Sequence, residues 1–466
     1  NGASQLDGTV NMSGGTLGGS GNVTVTGAFN VSGASSFGGV LTGTGQFTTQ
    51  GASSINLSAA NGQLILNKTW VNQGTLTVGG DDSIALNNST LTNTATGTLN
   101  LSSTSATPLN WNGGTPTVNN QGILNQTAAG AHAIAGSITF NNSGTVNVDA
   151  GTLSILGGGT DTGLYAVDTG TTLEFGGSGT RNLNAGSNIT GLGSLAISGG
   201  VLNVNNLLGI ATTGAALNIS GGTLNANAAL NVANAFNWSG GAIQGSGLLT
   251  TTGTSTLSGV GLKFLNDKTW NNSGTVDLTG SGYLSVNDTA AAGAAVFNNQ
   301  VGGIVNLTSS SSTPLSGTAG VINNAGTLNW GDGTGATRAI YSQLNAFNNT
   351  GTVNVNDGLT VGTGGTDTGV YDVDTGKTLS FGGGTRNLNL GSNITGVGTV
   401  DASGGTTNIN VNFGIAATGN VSVTGGTLNL DTPGTALTLA NPLTVSSGLF
   451  DATDDLTVAA LNWSGG

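Results

Sequence analysis

Repetition inside the chain limits what it can fold into more than any other feature does. Residues 159–175 (GTDTGLYAVDTGTTLEF) and 365–381 (GTDTGVYDVDTGKTLSF) agree at 13 of 17 positions, and 179–193 agree with 384–398 at 13 of 15. The same offset of about 205 residues relates Lys68-Thr69-Trp70 to Lys268-Thr269-Trp270, LNLSSTSATPL at 99–109 to VNLTSSSSTPL at 305–315, and NNSGTVNV at 141–148 to NNTGTVNV at 348–355. The phrase [ST]GGTL opens at residues 13, 220 and 424. The chain therefore reads as one continuous solenoid over 1–466, with long repeats at approximately 13–219 and 220–423 and a partial one at 424–466. A chain built this way stacks like units on one another, because no unit can bury its own apolar face alone.

A shorter period sits inside each long copy. A phrase of the form G-[TSIV]-[LV]-x-[VLIA] places its third residue at Leu76, Leu99, Leu124, Val146, Leu173 and Leu195, at intervals of 22 to 27 residues. Val276, Val305, Leu328, Val353, Leu379 and Val400 repeat the pattern in the second copy. Each phrase alternates apolar and polar residues, as a half-buried strand does, and Gly- and Asn-rich turns bound it. Helical periodicity is absent. The reading is all-β: a right-handed parallel β-helix with rungs of about 20–27 residues. Roughly 20 rungs at the ~4.8 Å strand spacing would give a rod on the order of 100 Å long.

That architecture accounts for the composition. Val, Leu and Ile fill a narrow interior, Thr, Ser and Asn face outward, and the 85 Gly are expected at corners that need positive φ. The repeated Asn pairs at 119–120, 141–142, 271–272, 323–324 and 348–349 suit side-chain ladders running from rung to rung. Charge is scarce, with seven Lys and Arg against twenty Asp and Glu. So few scattered cations disfavour nucleic acid as a partner, since phosphate neutralisation takes clustered Lys and Arg. With no Cys there is no disulfide or thiolate site. The longest apolar runs, such as AAGAAVF at 291–297, are too short to span a membrane as a helix. No apolar leader is visible, and the sequence reads as a stretch of a longer exported chain that self-associates or continues into a longer fibre.

The runs GGTLNA, GTLNL, NNSGTVNV and SGGVLNVNN resemble the strand repeats of secreted bacterial surface proteins, the filamentous-haemagglutinin-type exoproteins and autotransporter passengers. The likeness covers essentially the whole chain and is compositional. It implies a β-helix at a bacterial cell surface or in an extracellular filament or biofilm, used for adhesion, with surface glycans or matrix as possible partners. The N-terminal secretion signature and the C-terminal barrel of those families do not occur in these residues.

Four Asp-Thr-Gly tripeptides, at Asp161, Asp168, Asp367 and Asp374, are the candidate chemistry. Asp-Thr-Gly carries the shared-proton carboxylates of aspartic proteases, but here the pairs lie seven residues apart and recur by duplication, so turns in which Asp bonds its own backbone are expected. The same four acids are the only weak candidates for a metal, and with no repeat-wide ligand set no metal and no cofactor is expected. Asp81-Asp82 reads as solvated surface, and the lone His132 as a turn or surface residue. Arg181 with Arg386, and Lys68 with Lys268, repeat between copies and read as packing or surface. The six Trp read as interior plugs rather than sugar platforms. A structural and adhesive rod without enzymatic activity is the expected function. A polysaccharide-binding or -cleaving β-helix is the alternative.

Overall fold

A computed structural model describes residues 2–287, 295–333, 335–432, 434 and 436–466. The chain divides into two units, Asn1–Leu230 and Asn231–Gly466, and each is a parallel β-solenoid, with about 20 turns between them. The run at 291–297 falls largely outside the described residues.

A turn is built from three short strands. In the first unit one turn runs Thr69–Asn72, Thr75–Val78, Ser83–Leu86, and the next lies on it with Thr69 opposite Thr90, Thr75 opposite Thr98 and Ile84 opposite Leu109. The second unit repeats this with Thr269–Asn272, Thr275–Leu278 and Leu284–Val286 beneath Val296–Asn299, Ile304–Leu307 and Leu315–Ser316. Alternation decides the facing: in Thr75–Val78, Leu76 and Val78 are fully buried while the two Thr look outward. The repeat length varies more than the phrase spacing implies, from 18 residues (Thr352 to Val370) to 31 (Leu284 to Leu315).

The phrase itself changes face. Leu76, Leu99, Leu124 and Val146 form one column, which continues through Tyr165 and Ile189. Leu173 and Leu195 pair with each other in a different sheet. In the second unit Val276 to Val353 likewise continue to Tyr371, while Leu379 pairs with Val400 elsewhere. Any inward apolar residue satisfies the pattern, so the phrase cannot say which face it lies on.

Many corner glycines are needed for a reason other than positive φ. A Cβ on Gly144 would lie 2.1 Å from the Gly122 carbonyl oxygen, and one on Gly351 would lie 2.1 Å from that of Gly326. Backbone from one turn passes directly over the corner of the last, and only hydrogen fits between. Two single-turn helices, Gly209–Thr213 and Ile415–Thr418, interrupt the all-strand pattern. Asn188 and Asn393, at the starts of the strands beneath, accept from the N–H groups of Gly209 and Gly414.

Candidate functional site

Each unit carries one continuous polar column inside its apolar core. In the first, the Trp70 indole donates to Thr49 Oγ1 (3.0 Å), and Thr49 donates to Asn72 Oδ1 (3.2 Å). Amide-to-amide bonds of 2.8 Å then run Asn72 to Asn93 to Asn120 to Asn142. Each amide nitrogen also reaches a main-chain carbonyl across the corner, such as Thr98 O from Asn72 and Thr145 O from Asn120. In the second unit Trp270, Thr251, Asn272, Asn299, Asn324 and Asn349 repeat the arrangement at 2.8–3.0 Å. A carboxamide suits this because it donates and accepts at once, so identical residues satisfy one another in a stack.

The column ends on a carboxylate. Asp161 Oδ1 accepts from the Asn142 N–H (3.0 Å) and Oδ2 from Arg181 (2.6 Å). Asp367 does the same with Asn349 N–H (2.8 Å) and Arg386 (2.5 Å). One position further on, Leu183 and Leu388 stand where the acids stood, and the column is apolar. Each guanidinium lies between two phenylalanine rings, Phe140 and Phe175 or Phe347 and Phe381, at 5.5–5.7 Å. Its Nη2 group reaches carbonyls, Gly157 O from Arg181 and Phe347 and Thr363 O from Arg386, while each Nε–H is buried without a partner among the described residues. A Cβ on Gly159 would clash with the Phe140 carbonyl at 1.8 Å, and one on Gly365 with that of Phe347 at 1.9 Å, so both openings of the Asp-Thr-Gly phrase must be glycine. Burial, then the neighbouring carboxylate, push the Tyr165 and Tyr371 hydroxyls far above their ordinary range, and both stay neutral phenols.

Two of the four Asp-Thr-Gly acids are therefore not turn residues. Asp161 and Asp367 are wholly buried ion-pair partners, whereas Asp168 and Asp374 are exposed and make the expected turns, their carbonyls accepting from Thr171 and Lys377 N–H. The structure brings no two of the four carboxylates together as a dyad or ligand set. Among the described residues, no three His, Asp or Glu converge on a point that could hold a metal ion. His132 is also interior, with Nδ1 2.7 Å from Ser105 O and Nε2 2.8 Å from Ala129 O. A small-residue run such as AAGAHAIAG reads as turn or surface because it carries no mark of the carbonyls behind it. Asp82 is buried too, with Oδ2 2.5 Å from the Leu57 N–H. Trp70, Trp238, Trp270 and Trp330 are interior plugs, but Trp111 and Trp463 are about half exposed.

A further buried carboxylate, Asp357, lies in the second unit. Asp357 accepts from Arg338 (3.1 Å), Lys377 (2.9 Å) and the N–H groups of Asp332, Gly333 and Gly335 (2.6–3.2 Å). Gly331, Gly333 and Gly335 hold φ of 85–97°, which turns successive N–H groups onto the one carboxylate. Burial alone would raise the Asp357 pKa. The hydrogen bonds from Lys377 and the loop, with the Lys377 charge, outweigh it and hold the group below its ordinary 3.8. Such a group stabilises the fold above its unfolded-state pKa, and that contribution disappears as pH falls through the lower folded value. Below about pH 4, Asp357→Asn should accordingly lose less further stability than the native chain, measured as melting temperature against pH.

Arg338, Asp357 and the Asp–Arg pairs share one signal: all seven cations are withdrawn from the surface. Six of them, including Lys68, Lys263 and Lys268, are at most 5 % exposed, and the Lys377 side chain is 21 % exposed. Burial pulls the Lys268 amine, which donates to Gly247 O, down to about 8. What faces water is neutral or acidic. Outer ladders such as Asn298–Asn323–Asn348 and Asn306–Asn329–Asn354 run in register at 2.7–2.9 Å. Among the described residues, no helix is long and apolar enough to cross a membrane.

Fold and interior together define a repeat protein of the parallel β-solenoid class. In comparison with known proteins, no family model, curated sequence or solved structure matches the chain.

Proposed function

We propose that the chain is a structural and adhesive segment of a bacterial cell-surface or extracellular fibre. The observation that carries this is where the charge goes. The Arg side chains that a catalytic or phosphate site would use are held inside, fastening the turns, and the outside repeats Asn, Thr and Ser in ladders. Such a surface presents the same hydrogen-bonding groups many times over, and weak contacts to a matrix then add by multivalency. Export to a surface rests on the resemblance of the strand phrases to secreted β-helix proteins and on the absence of Cys.

The test is retention under flow. Beads coated with the 466-residue chain should hold to glass, to a polysaccharide gel or to one another more strongly than beads coated with an inert globular protein. Retention no better than that control on all three would remove the adhesive reading. Release of shortened sugars from the gel would favour the carbohydrate-cleaving alternative.

A further inference from the structure

Outward asparagines of the second unit bond to one another in ladders, and one groove on the same unit is lined by groups of another kind. It encloses about 280 Å³, and Tyr283, Thr313, Ser316, Gly317, Tyr341 and Gln343 line it. Both phenol hydroxyls, the Thr313 and Ser316 hydroxyls and the Gln343 carboxamide have no hydrogen-bond partner among the described residues, and neither tyrosine ring meets another aromatic ring. These five unpartnered polar groups and two unstacked rings converge on one groove, beside Thr318, whose own hydroxyl donates to Asn287 O (2.7 Å).

The first unit supplies an internal comparison. Leu284, Leu315 and Ile340 stack in the same frame as Ile84, Leu109 and Ile134. Aligned on that frame, Tyr283 corresponds to Ser83, Tyr341 to Ala135, and Gly317 to Trp111. In the first unit the Trp111 indole sits at that place, its N–H donating to Gly114 O (3.0 Å). In the second unit the ring is missing and its flanks have become aromatic. Gly317 cannot carry a side chain of its own, because its φ is 144° and a Cβ would lie 1.9 Å from the Val286 carbonyl oxygen.

We propose that this groove binds a neutral pyranose oligosaccharide, one sugar ring taking the place that the indole holds in the first unit. A pyranose offers an apolar C–H face to each phenol ring and an equatorial rim of hydroxyls that donate and accept, as the Ser, Thr and Gln groups require. Among the described residues no charged side chain lines the groove, and with every cation on the protein buried or half-buried an acidic glycan finds no counter-charge. The assignment deepens the adhesive reading by naming a ligand class for one site. It can fail while retention of the coated beads stands.

Titration calorimetry on the full chain with cellohexaose, maltohexaose and chitohexaose is the test. At least one should bind saturably, and hexagalacturonate should not. Tyr283→Ala with Tyr341→Ala should weaken binding by at least about tenfold, while the paired Phe replacements, which keep both ring faces, should stay within about threefold. Both double variants lie on the surface and should keep the native melting temperature. Failure of all three neutral sugars overturns the proposal, as does a correctly folded Ala pair that binds like the native chain.

Discussion

Arg386→Met is expected to cost the second unit about 3–5 kcal/mol, the range for removing one partner of a buried ion pair. The substitution keeps most of the apolar stem between Phe347 and Phe381 but leaves Asp367 wholly buried without its cation. It also leaves the Phe347 and Thr363 carbonyls without their guanidinium donor. Adding Asp367→Asn should restore most of the loss. A carboxamide at 367 can still accept from the Asn349 N–H, lengthens the column by one link and carries no charge. A solenoid opens locally, so the readout is amide hydrogen exchange over 347–388 alongside the thermal melt. A single variant within about 1 kcal/mol of native, or a double variant no better than the single, would refute this account of the pair.

Arg181 and Asp161 should behave alike in the first unit, because the two boxes share the acid, the asparagine N–H above it, the flanking phenylalanine rings and the glycine two residues before the acid. That duplication was legible in the sequence; its meaning was not. Repeat spacing and strand alternation carry the solenoid, since stacking is the one way such units bury their apolar faces. They do not carry facing at the corners. Asp161 and Asp168 stand in the same tripeptide seven residues apart, yet one is sealed in the core and the other is exposed. The difference lies in what is stacked above and below. Asp161 falls under Asn142 at the end of the amide column, whereas Asp168 sits in a turn that closes on its own carbonyl. A carboxylate is tolerated inside only where a cation arrives from a neighbouring turn, and nothing local to Asp161 announces Arg181 twenty residues on.

The groove of the second unit was hidden for a related reason. Tyr283 and Tyr341 are 58 residues apart, and only the stacking of Leu284, Leu315 and Ile340 brings their turns together. Conversely, the scarcity of basic residues was plain, and it was the better guide. In a chain with seven cations, the three buried arginines mark the places where Asp161, Asp357 and Asp367 have to be neutralised.

Asn324→Leu, beside Asn323→Leu, gives the sharpest contrast the fold offers. The two residues are adjacent, both belong to asparagine ladders, and both make amide-to-amide bonds of 2.8–2.9 Å to the turns on either side. They differ in facing: Asn324 is 3 % exposed and points into the core, while Asn323 points outward. Leucine keeps the branching of asparagine at Cγ but is the bulkier side chain, so at the inner position an overpacking cost adds to the lost hydrogen bonds. Inside, the substitution strands one Asn299 N–H and the Asn349 carboxamide oxygen where water cannot reach them, and it removes the bond to Thr352 O. Two buried polar groups left unmet at about 1–3 kcal/mol each predict a loss of about 2–6 kcal/mol. Outside, Asn298 and Asn348 turn to solvent for the partners they lose, and a surface change of this kind stays within about 0.5 kcal/mol. Urea unfolding of the two variants, with hydrogen exchange at 296–352 to localise the effect, measures the difference. Equal losses at the two positions would mean that the inner column is no more than an outer ladder turned inward. A large loss at 324 alone would make the amide column the element that fixes the stacking register of the unit, since a slip by one residue would exchange every inner asparagine for an outer one.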